Sequence, residues 1–159
     1  MAQQVFASEY KVIVDTREQA PLFMHRIIRR KLDEGDYNLV PLEDKYIFER
    51  KASMDMYSSI THNHIRFFNM LLRSRLKGKR AYIFVECPAE DFFEKRFRGG
   101  SMLKMKPVVL RKIVATMEEK YGVVVVWCQH PLHAKQMLLA TFDMLFMKEF
   151  GMRPDIISS

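Results

Sequence analysis

The sequence is poor in the residues and segments that mark several common classes of protein. Its 159 residues include only two cysteines, six glycines and six prolines. Two cysteines are too few for the disulfide framework of a small secreted domain, and so little glycine and proline excludes a collagen-like or low-complexity chain. No apolar run reaches about 18 residues, so the sequence predicts no membrane span. The amino terminus lacks the basic and apolar regions of a signal peptide.

These absences favour one globular domain in a reducing compartment. A chain of this length has room for one well-cored domain, and no repeat or Pro/Gly-rich linker divides it. Cys87 and Cys128 each follow an expected strand, and we predict that both are reduced, buried thiols of a cytosolic protein.

The charge of the chain is its most informative bulk property. A formal net charge of +7 attracts polyanions through counterion release and speeds their association. The basic residues are spread along the whole sequence, so they do not form a separate basic tail. Charge of this kind is compatible with nucleic-acid binding but does not establish it.

The hydrophobic pattern predicts an α/β fold in which a central mixed sheet is flanked by helices. Strands are expected at 11–15, 37–40, 45–51, 80–87 and 123–127, with a weaker strand in 24–32, where an amphipathic helix is the alternative. Helices are expected at about 53–76, 88–97, 109–121 and 131–150. Gly122 is expected to cap the third of these helices.

A hairpin between the second and third certain strands brings two acids together. With a loop at 41–44, residues whose numbers sum to 85 face each other, and Asp36 and Glu49 are such a pair. Because side chains alternate along a strand, Glu49 and Lys51 share a face while Arg50 points to the other.

Two facing carboxylates destabilise a hairpin unless their charge is compensated. A shared proton, Lys51 alone, or a cation would each do this. Hard oxygen ligands suit Mg²⁺ or Mn²⁺, and a neighbouring lysine would stabilise charge that develops on a phosphate. The simpler alternative is a surface hairpin with solvated charges, which leaves unexplained the acids Asp15 and Glu18, with Arg17 between them, at the end of the first strand.

Three short blocks, taken together, resemble the signature of the XPF-type nuclease family. They are "VDTRE" at 14–18, "LDEGDY" at 32–37 and "ERKASMD" at 49–55, in the family's order. The resemblance extends over about residues 10–150. It implies a restriction-endonuclease-like fold and metal-dependent cleavage of DNA, typically at the branched or flapped structures of DNA repair and recombination.

The resemblance also implies roles for individual residues. Asp36 and Glu49 would bind the metal, with the backbone carbonyl of Arg50 as a third ligand, and Lys51 would be the catalytic lysine. The resemblance gives Asp15, Arg17 and Glu18 supporting roles around the metal, the water and the scissile phosphate. Asp55 completes the motif, although its place in the first turn of a helix suits a capping role equally well.

The sequence departs from the family in two respects. No tandem helix-hairpin-helix module follows the nuclease domain, so we expect a single domain over 1–159, acting in the cytoplasm of a bacterium or for a virus in its host cell. His64 also occurs near where relatives often carry an arginine. His62 and His64 do not share a helix face and are a poor metal pair; we expect His62 to be solvated and His64 to border the active-site groove.

Two basic clusters are further candidates for contact with DNA. The segment 95–106 combines basic residues with a Gly pair that we expect to be flexible, so it contacts phosphate or is a solvated mobile loop. The cluster of Arg26, Arg29, Arg30 and Lys31 contacts DNA or is a solvated edge.

A homodimer is expected from the apolar surface of the last two helices. The residues concerned cannot all lie on one face of their helices: Val108, Val109, Ile113, Leu138, Phe142, Leu145, Phe146 and Phe150. XPF-type domains also pair through this region.

Two other functions stay open at this point. One is a non-catalytic DNA-binding or scaffold subunit, against which the intact set of Asp36, Glu49 and Lys51 argues. The other is a nuclease that acts on RNA or on linear DNA ends.

Overall fold

The computed structural model describes residues 11–18 and 27–151, and these form one mixed sheet with helices on both faces. Its strands are β1 (Lys11–Val14), β2 (Ile27–Arg29), β3 (Tyr37–Val40), β4 (Tyr46–Lys51), β5 (Arg80–Val85) and β6 (Val124–Trp127). Its helices are α1 (Ser53–Ile60), α2 (His64–Leu76), α3 (Ala89–Phe93), α4 (Pro107–Tyr121) and α5 (Pro131–Phe150).

The strand order β2-β1-β3-β4-β5-β6 brings the carboxyl ends of most strands to one edge of the sheet. β3 is antiparallel to both β1 and β4, whereas β4, β5 and β6 are mutually parallel. The carboxyl ends of β1, β4, β5 and β6 therefore share an edge. Helices make the crossovers from β4 to β5 and from β5 to β6, as is usual between parallel strands.

Each face of the sheet is covered by its own hydrophobic core. On one face, α5 packs Leu138, Phe142, Leu145 and Phe146 against the sheet around Phe48. On the other face, α1, α2 and α4 pack around Ile47 and Ile83. Ile47 and Phe48 are adjacent in β4 and point to opposite faces, so this strand contributes a side chain to each core. None of the helices in the described ranges is long and apolar enough to cross a membrane.

Most of the expected elements are confirmed, including α5 over 131–150 and the weak strand, of which Ile27–Arg29 is observed. Residues 24–26 of that prediction, with Arg26, lie outside the described residues. Gly122 ends α4 in the left-handed conformation, as expected for a C-cap. Cys87 and Cys128 are free and buried, as predicted.

The single helix expected over 53–76 is wrong. It is broken at Thr61–Asn63, where the amide of Asn63 donates to the carbonyl of Ser58 and the hydroxyl of Thr61 donates to the carbonyl of Tyr57. After the break, α2 contributes residues that include Arg66 and Arg73 to the lining of the groove beside β4. Neither Gly nor Pro marks the break, and the apolar spacing continues through it.

The expected set of interface residues on the last two helices is also wrong in part. Leu138, Leu145 and Phe142 are at most 1% exposed within a single chain and Phe146 is 5% exposed, so these side chains are core. Val108, Val109 and Phe150 are exposed, by 59%, 39% and 47%. Burial against the sheet accounts for the apolar residues on one side of α5, while Leu132, Met144 and Phe150 are exposed.

Candidate active site

The site is built on the β3–β4 hairpin, whose register is the predicted one. Tyr37 pairs with Phe48, and these numbers sum to 85. Asp36 precedes β3 and ties three strands together: its amide donates to the carbonyl of Phe48 (2.9 Å) and its carbonyl accepts from the amide of Asp15 (2.8 Å). Gly35 permits this approach, because its φ is +86° and a Cβ there would lie 2.9 Å from the Phe48 carbonyl oxygen.

The Asp36 and Glu49 carboxylates are held close together in a partly buried setting. The Oδ2 atom of Asp36 accepts a hydrogen bond from the amide of Arg50 (2.9 Å). The pKa of Asp36 is raised to about 6, mainly by burial and also by the nearby charges of Glu49 and Glu18, while the hydrogen bond from Arg50 and the charge of Lys51 oppose the rise. The Oε2 atom of Glu49 is buried without a hydrogen-bond partner among the described residues. The pair therefore combines two nearby acids in a partly buried setting with one oxygen that no described hydrogen bond satisfies.

Lys51 is the cation nearest to this pair on the same strand face. Its Nζ atom lies 3.7 Å from Oε2 of Glu49, and its side chain is 15% exposed. The ammonium group also lies 5.0 Å from the centre of the Phe67 ring on α2, a cation–π distance that helps hold the ammonium in position. Lys51 is thus placed between the carboxylates and the α2 side of the groove.

Asp15 is a saturated acceptor. Its carboxylate accepts from the amide, Nε and Nη2 of Arg17 (2.9, 2.7 and 3.1 Å) and from the amide of Leu32 (2.6 Å). The hydrogen bond from the Arg17 side chain is the main reason that the pKa of Asp15 falls to about 2. Arg17 also donates to the carbonyl of Leu32 (2.8 Å). Asp15 therefore orients Arg17 and the chain before Asp36, rather than offering free oxygens to a cation.

The side chains of Glu18, Arg50 and Asp55 lie outside the cavity beside Asp36 and Glu49. The Arg50 side chain points away from the cavity, as predicted: its Nε donates to Glu86, and its Nη1 lies 3.8 Å from Oε1 of Glu18. Asp55 is an exposed residue in the first turn of α1, where it suits the helix dipole. Among the described residues that line the cavity, none of these three is included.

A cavity of about 550 Å³ opens at this edge of the sheet and has walls of opposite charge. One wall carries the acids of the strands and the turn before β3: Asp15, Asp33, Glu34, Asp36 and Glu49. The other is the face of α2 that presents Asn63, Arg66, Phe67, Met70 and Arg73, and Ser59 of α1 also lines the cavity.

Sequence reasoning missed this α2 wall. Its residues are three or four apart in the sequence, which places them on one helix face, but the whole helix was assigned to the core. His64 was expected at the groove; the described lining instead contains its neighbours Asn63 and Arg66. His62 is exposed, as expected.

The donor set fits a hard cation that keeps several waters. Within residues 11–18 and 27–151, no group of three or more His, Cys, Asp or Glu side chains is placed so that it could hold a metal ion by itself. Two carboxylates, one of them with an orphaned oxygen, are nevertheless the ligand set that Mg²⁺ or Mn²⁺ takes from proteins when phosphate and water fill the other positions. Asp36 and Glu49 meet this description; Asp15 does not.

Comparison with known proteins agrees with this fold. The model of the ERCC4 domain family matches residues 14–141. The solved structure "XPF from Aeropyrum pernix, complex with DNA" is similar with a TM-score of 0.64 and 23% identity, over 87% of this chain and 66% of that one. A second structure, "XPF from Aeropyrum pernix", has a TM-score of 0.63 and 24% identity, over 90% of this chain and 64% of that one.

The chain thus spans just under two thirds of the length of either structure. At these identities the likeness concerns the fold, and it confirms the restriction-endonuclease-like arrangement of a mixed sheet between helices. A comparison with curated proteins finds no match.

Proposed function

The chain belongs to the ERCC4 domain family, the XPF-type nuclease domains, and we propose that it is a metal-dependent endonuclease that hydrolyses phosphodiester bonds in DNA. One observation carries the proposal. Asp36 and Glu49 face the same cavity, Oε2 of Glu49 has no hydrogen-bond partner among the described residues, Lys51 lies beside them, and an arginine-bearing helix forms the opposite wall.

In this proposal Asp36 and Glu49 hold one Mg²⁺ or Mn²⁺ ion, and the Arg50 carbonyl is a further ligand. When bound, such an ion polarises a phosphate and lowers the pKa of a coordinated water. The protein supplies the fixed ligands. The amide of Arg50, which donates to Oδ2 of Asp36, orients that carboxylate.

Lys51 is proposed to act on the reacting phosphate. Its ammonium is partly shielded from water and is oriented by Glu49 and Phe67. A preorganised cation at that position stabilises the negative charge that develops on the phosphate in the transition state. Arg17, held by Asp15, and Arg66 and Arg73 of α2 would bind the flanking phosphates and fix the strand across the cavity.

The net charge of +7 supports DNA as the substrate, and one similar protein, the XPF of Aeropyrum pernix, is described in complex with DNA. Branched, flapped or junction DNA is the substrate that the family resemblance favours. The groove is open and the described α2 wall is basic, so phosphate contacts dominate over reading of bases.

A cleavage assay tests this function. Linear, flap, fork and four-way DNAs, and an RNA counterpart of each, are incubated with Mg²⁺, Mn²⁺ or EDTA. We expect cleavage of branched DNA with either metal and none in EDTA. Glu49→Gln should abolish cleavage, while Glu43→Gln, at the far end of the same hairpin where Glu43 pairs with Arg30, should not.

Each of the other functions has its own outcome in this assay. A protein that binds these DNAs but cuts none of them would be a scaffold subunit. Cleavage of RNA alone would reassign the substrate.

We also propose a homodimer, with a revised interface. Helices α4 and α5 lie on opposite faces of the sheet, so both meet a second copy only around the edge strand β6. All four residues of the apolar edge strand β6 are partly exposed, and an uncovered edge strand is a template for pairing with another chain. Further apolar residues are exposed on these two helices: Val108, Val109, Leu132, Met144 and Phe150.

A further inference from the structure

The segment between α3 and α4, residues 94–106, is not the flexible glycine loop that its sequence suggests. A Cβ on Gly100 would lie 2.2 Å from the carbonyl oxygen of Lys95, so the chain packs tightly against itself there. The Lys95 ammonium donates to the carbonyl of Met105 (2.6 Å), and the Phe97 ring stacks on Phe92 at 5.9 Å. Local hydrogen bonds and a core contact thus fix the shape of this segment, hereafter the α3–α4 loop.

The α3–α4 loop lies at the same edge of the sheet as the catalytic candidates. It follows the carboxyl end of β5, which is parallel to β4 and next to it. Gly99 touches the start of α1, because a Cβ built there would lie 2.8 Å from Cε of Met54, three residues after Lys51. A nucleic acid that lay along this edge of the sheet would meet both the cavity and this loop.

The outer surface of the α3–α4 loop joins unpaired cations with one prominent apolar side chain. Arg98, Lys104 and Lys106 are exposed, and within the described part of the chain no acid pairs with them. Arg96, by contrast, is paired with Asp91 at 3.0 Å. Met102, in the short 3-10 turn Gly100–Met102, is 81% exposed.

This composition favours a nucleic acid over a protein partner. Lysine is depleted in protein interfaces, and their buried centres exclude charge. Phosphates, in contrast, require unpaired cations. Methionine is among the apolar side chains that proteins insert against base steps, where they unstack the bases. A rigid loop with unpaired cations and an exposed methionine fits a duplex whose terminal base pair is accessible, as it is at a branch.

We propose that the α3–α4 loop is a second DNA-binding element, in which Arg98, Lys104 and Lys106 bind backbone phosphates and Met102 packs against the base pair beside a branch. The loop would select branched DNA by contacting a base face that an intact duplex keeps stacked. The inference rests on the proposed function for the identity of the substrate, but not on cleavage, because it concerns binding.

The test measures binding in EDTA, so that no cleavage is needed. The probes are a forked DNA with 2-aminopurine in the base pair beside the branch and an unbranched duplex with the same label. Arg98→Ala/Lys104→Ala should weaken fork binding and reduce the slope of log K against log salt by about 2, since each lost phosphate contact removes about 0.9.

The control is Lys11→Ala/Lys148→Ala. Lys11 begins β1, and Lys148 is next to Glu149, which pairs with Lys45 ahead of β4, so both lie at the opposite edge of the sheet. This control should keep the wild-type slope. Met102→Ala should keep that slope too, with affinity within about threefold, but lose the rise in 2-aminopurine fluorescence that binding to the fork produces. Met102→Leu should retain it.

The outcomes separate the two proposals. If the wild type binds the fork and the loop variants match it in slope and fluorescence, the α3–α4 loop is not a DNA-binding element and the proposed function stands. If the wild type raises fluorescence equally on the unbranched duplex, selection of the branch by Met102 is overturned. If the wild type binds neither DNA, both the loop and the proposed function are wrong.

Discussion

At the scale of single residues, Asp36 and Asp15 have pKa values shifted in opposite directions, to about 6 and to about 2. The pairing of Asp36 with Glu49 was predictable, because hairpin register follows from loop length and strand period. The role of Asp15 was not predictable in the same way. The Asp15 carboxylate accepts hydrogen bonds from the amide of Leu32 and from Arg17. The Leu32 contact depends on how a segment distant in the sequence packs. Motif spacing identifies which acids are close together, but it does not show which of them keep free oxygens.

The raised pKa of Asp36 makes stability depend on pH in a defined direction. Between its ordinary value of 3.8 and about 6, the folded chain holds a proton that the unfolded chain has lost. Stability of the metal-free protein should therefore fall as the pH rises through this window and stay lower above it. Asp36→Asn removes the charge and keeps an oxygen that can accept from the Arg50 amide.

We expect Asp36→Asn to be more stable than the wild type at pH 7 by about 1–3 kcal/mol. Urea unfolding in EDTA at a series of pH values measures this. If the free energies of unfolding of the two proteins changed with pH in parallel, burial and Glu49 would not destabilise the charged form of Asp36.

Lys51 should matter for the reaction far more than for binding. Lys51→Ala should leave the affinity for DNA nearly unchanged and lower the single-turnover rate by about 10²–10³-fold, the loss typical of one electrostatic donor to a transition state. Lys45→Ala, just before the other end of β4 and paired with Glu149, is the matched control and should cut at the wild-type rate. A loss of affinity with an unchanged rate would make Lys51 a phosphate anchor.

At the scale of elements, helices with clear ends were predictable and a helix break was not. Helix α5 begins with Pro131 and ends before Gly151, which adopts φ +68°, so both of its bounds carry a sequence signal. The break at Thr61–Asn63 carries only a weak signal: Asn63 is a favoured residue type at a helix start, but its side chain makes no capping hydrogen bond there. The arginine wall of the cavity depends on that break and was missed for the same reason.

The α3–α4 loop gives a prediction at this scale. Gly100→Ala forces a Cβ into the Lys95 carbonyl and should lower the free energy of unfolding by about 2–3 kcal/mol. Gly78→Ala is the comparison: φ is +78° but open space surrounds it, so only the backbone conformation is strained, at a cost of about 1 kcal/mol. Thermal or urea unfolding compares the two. Equal losses would mean that the loop yields to the added methyl group.

At the scale of the whole molecule, the two-faced sheet separates core from candidate interface. The sequence showed an excess of apolar residues on the last helices, but only packing shows that Phe142 is buried in one chain while Met144 is 43% exposed. The fold class was predictable because strand and helix patterns alternate; the side of α5 that faces the sheet was not, since that helix is apolar nearly all round.

The dimer proposal follows from this separation. Met144→Asp should give a folded monomer, whereas Phe142→Asp should unfold the chain because it buries a charge without a partner. Sedimentation of the wild type at high micromolar concentration should give a dimer, and circular dichroism checks that the Met144→Asp variant is folded. A wild-type monomer at that concentration, or a Met144→Asp dimer, would contradict the proposed interface.

The central claim is that Asp36 and Glu49 together form a metal site, and Mn²⁺ binding followed by electron paramagnetic resonance tests it most directly. Free Mn²⁺ gives a signal that is lost on binding, so a titration counts the sites in each protein. We expect one Mn²⁺ per chain at pH 7.5 for the wild type and for Glu43→Gln. For Asp36→Asn and for Glu49→Gln we expect affinity at least about tenfold weaker. Unchanged Mn²⁺ binding in both of those variants would contradict the claim.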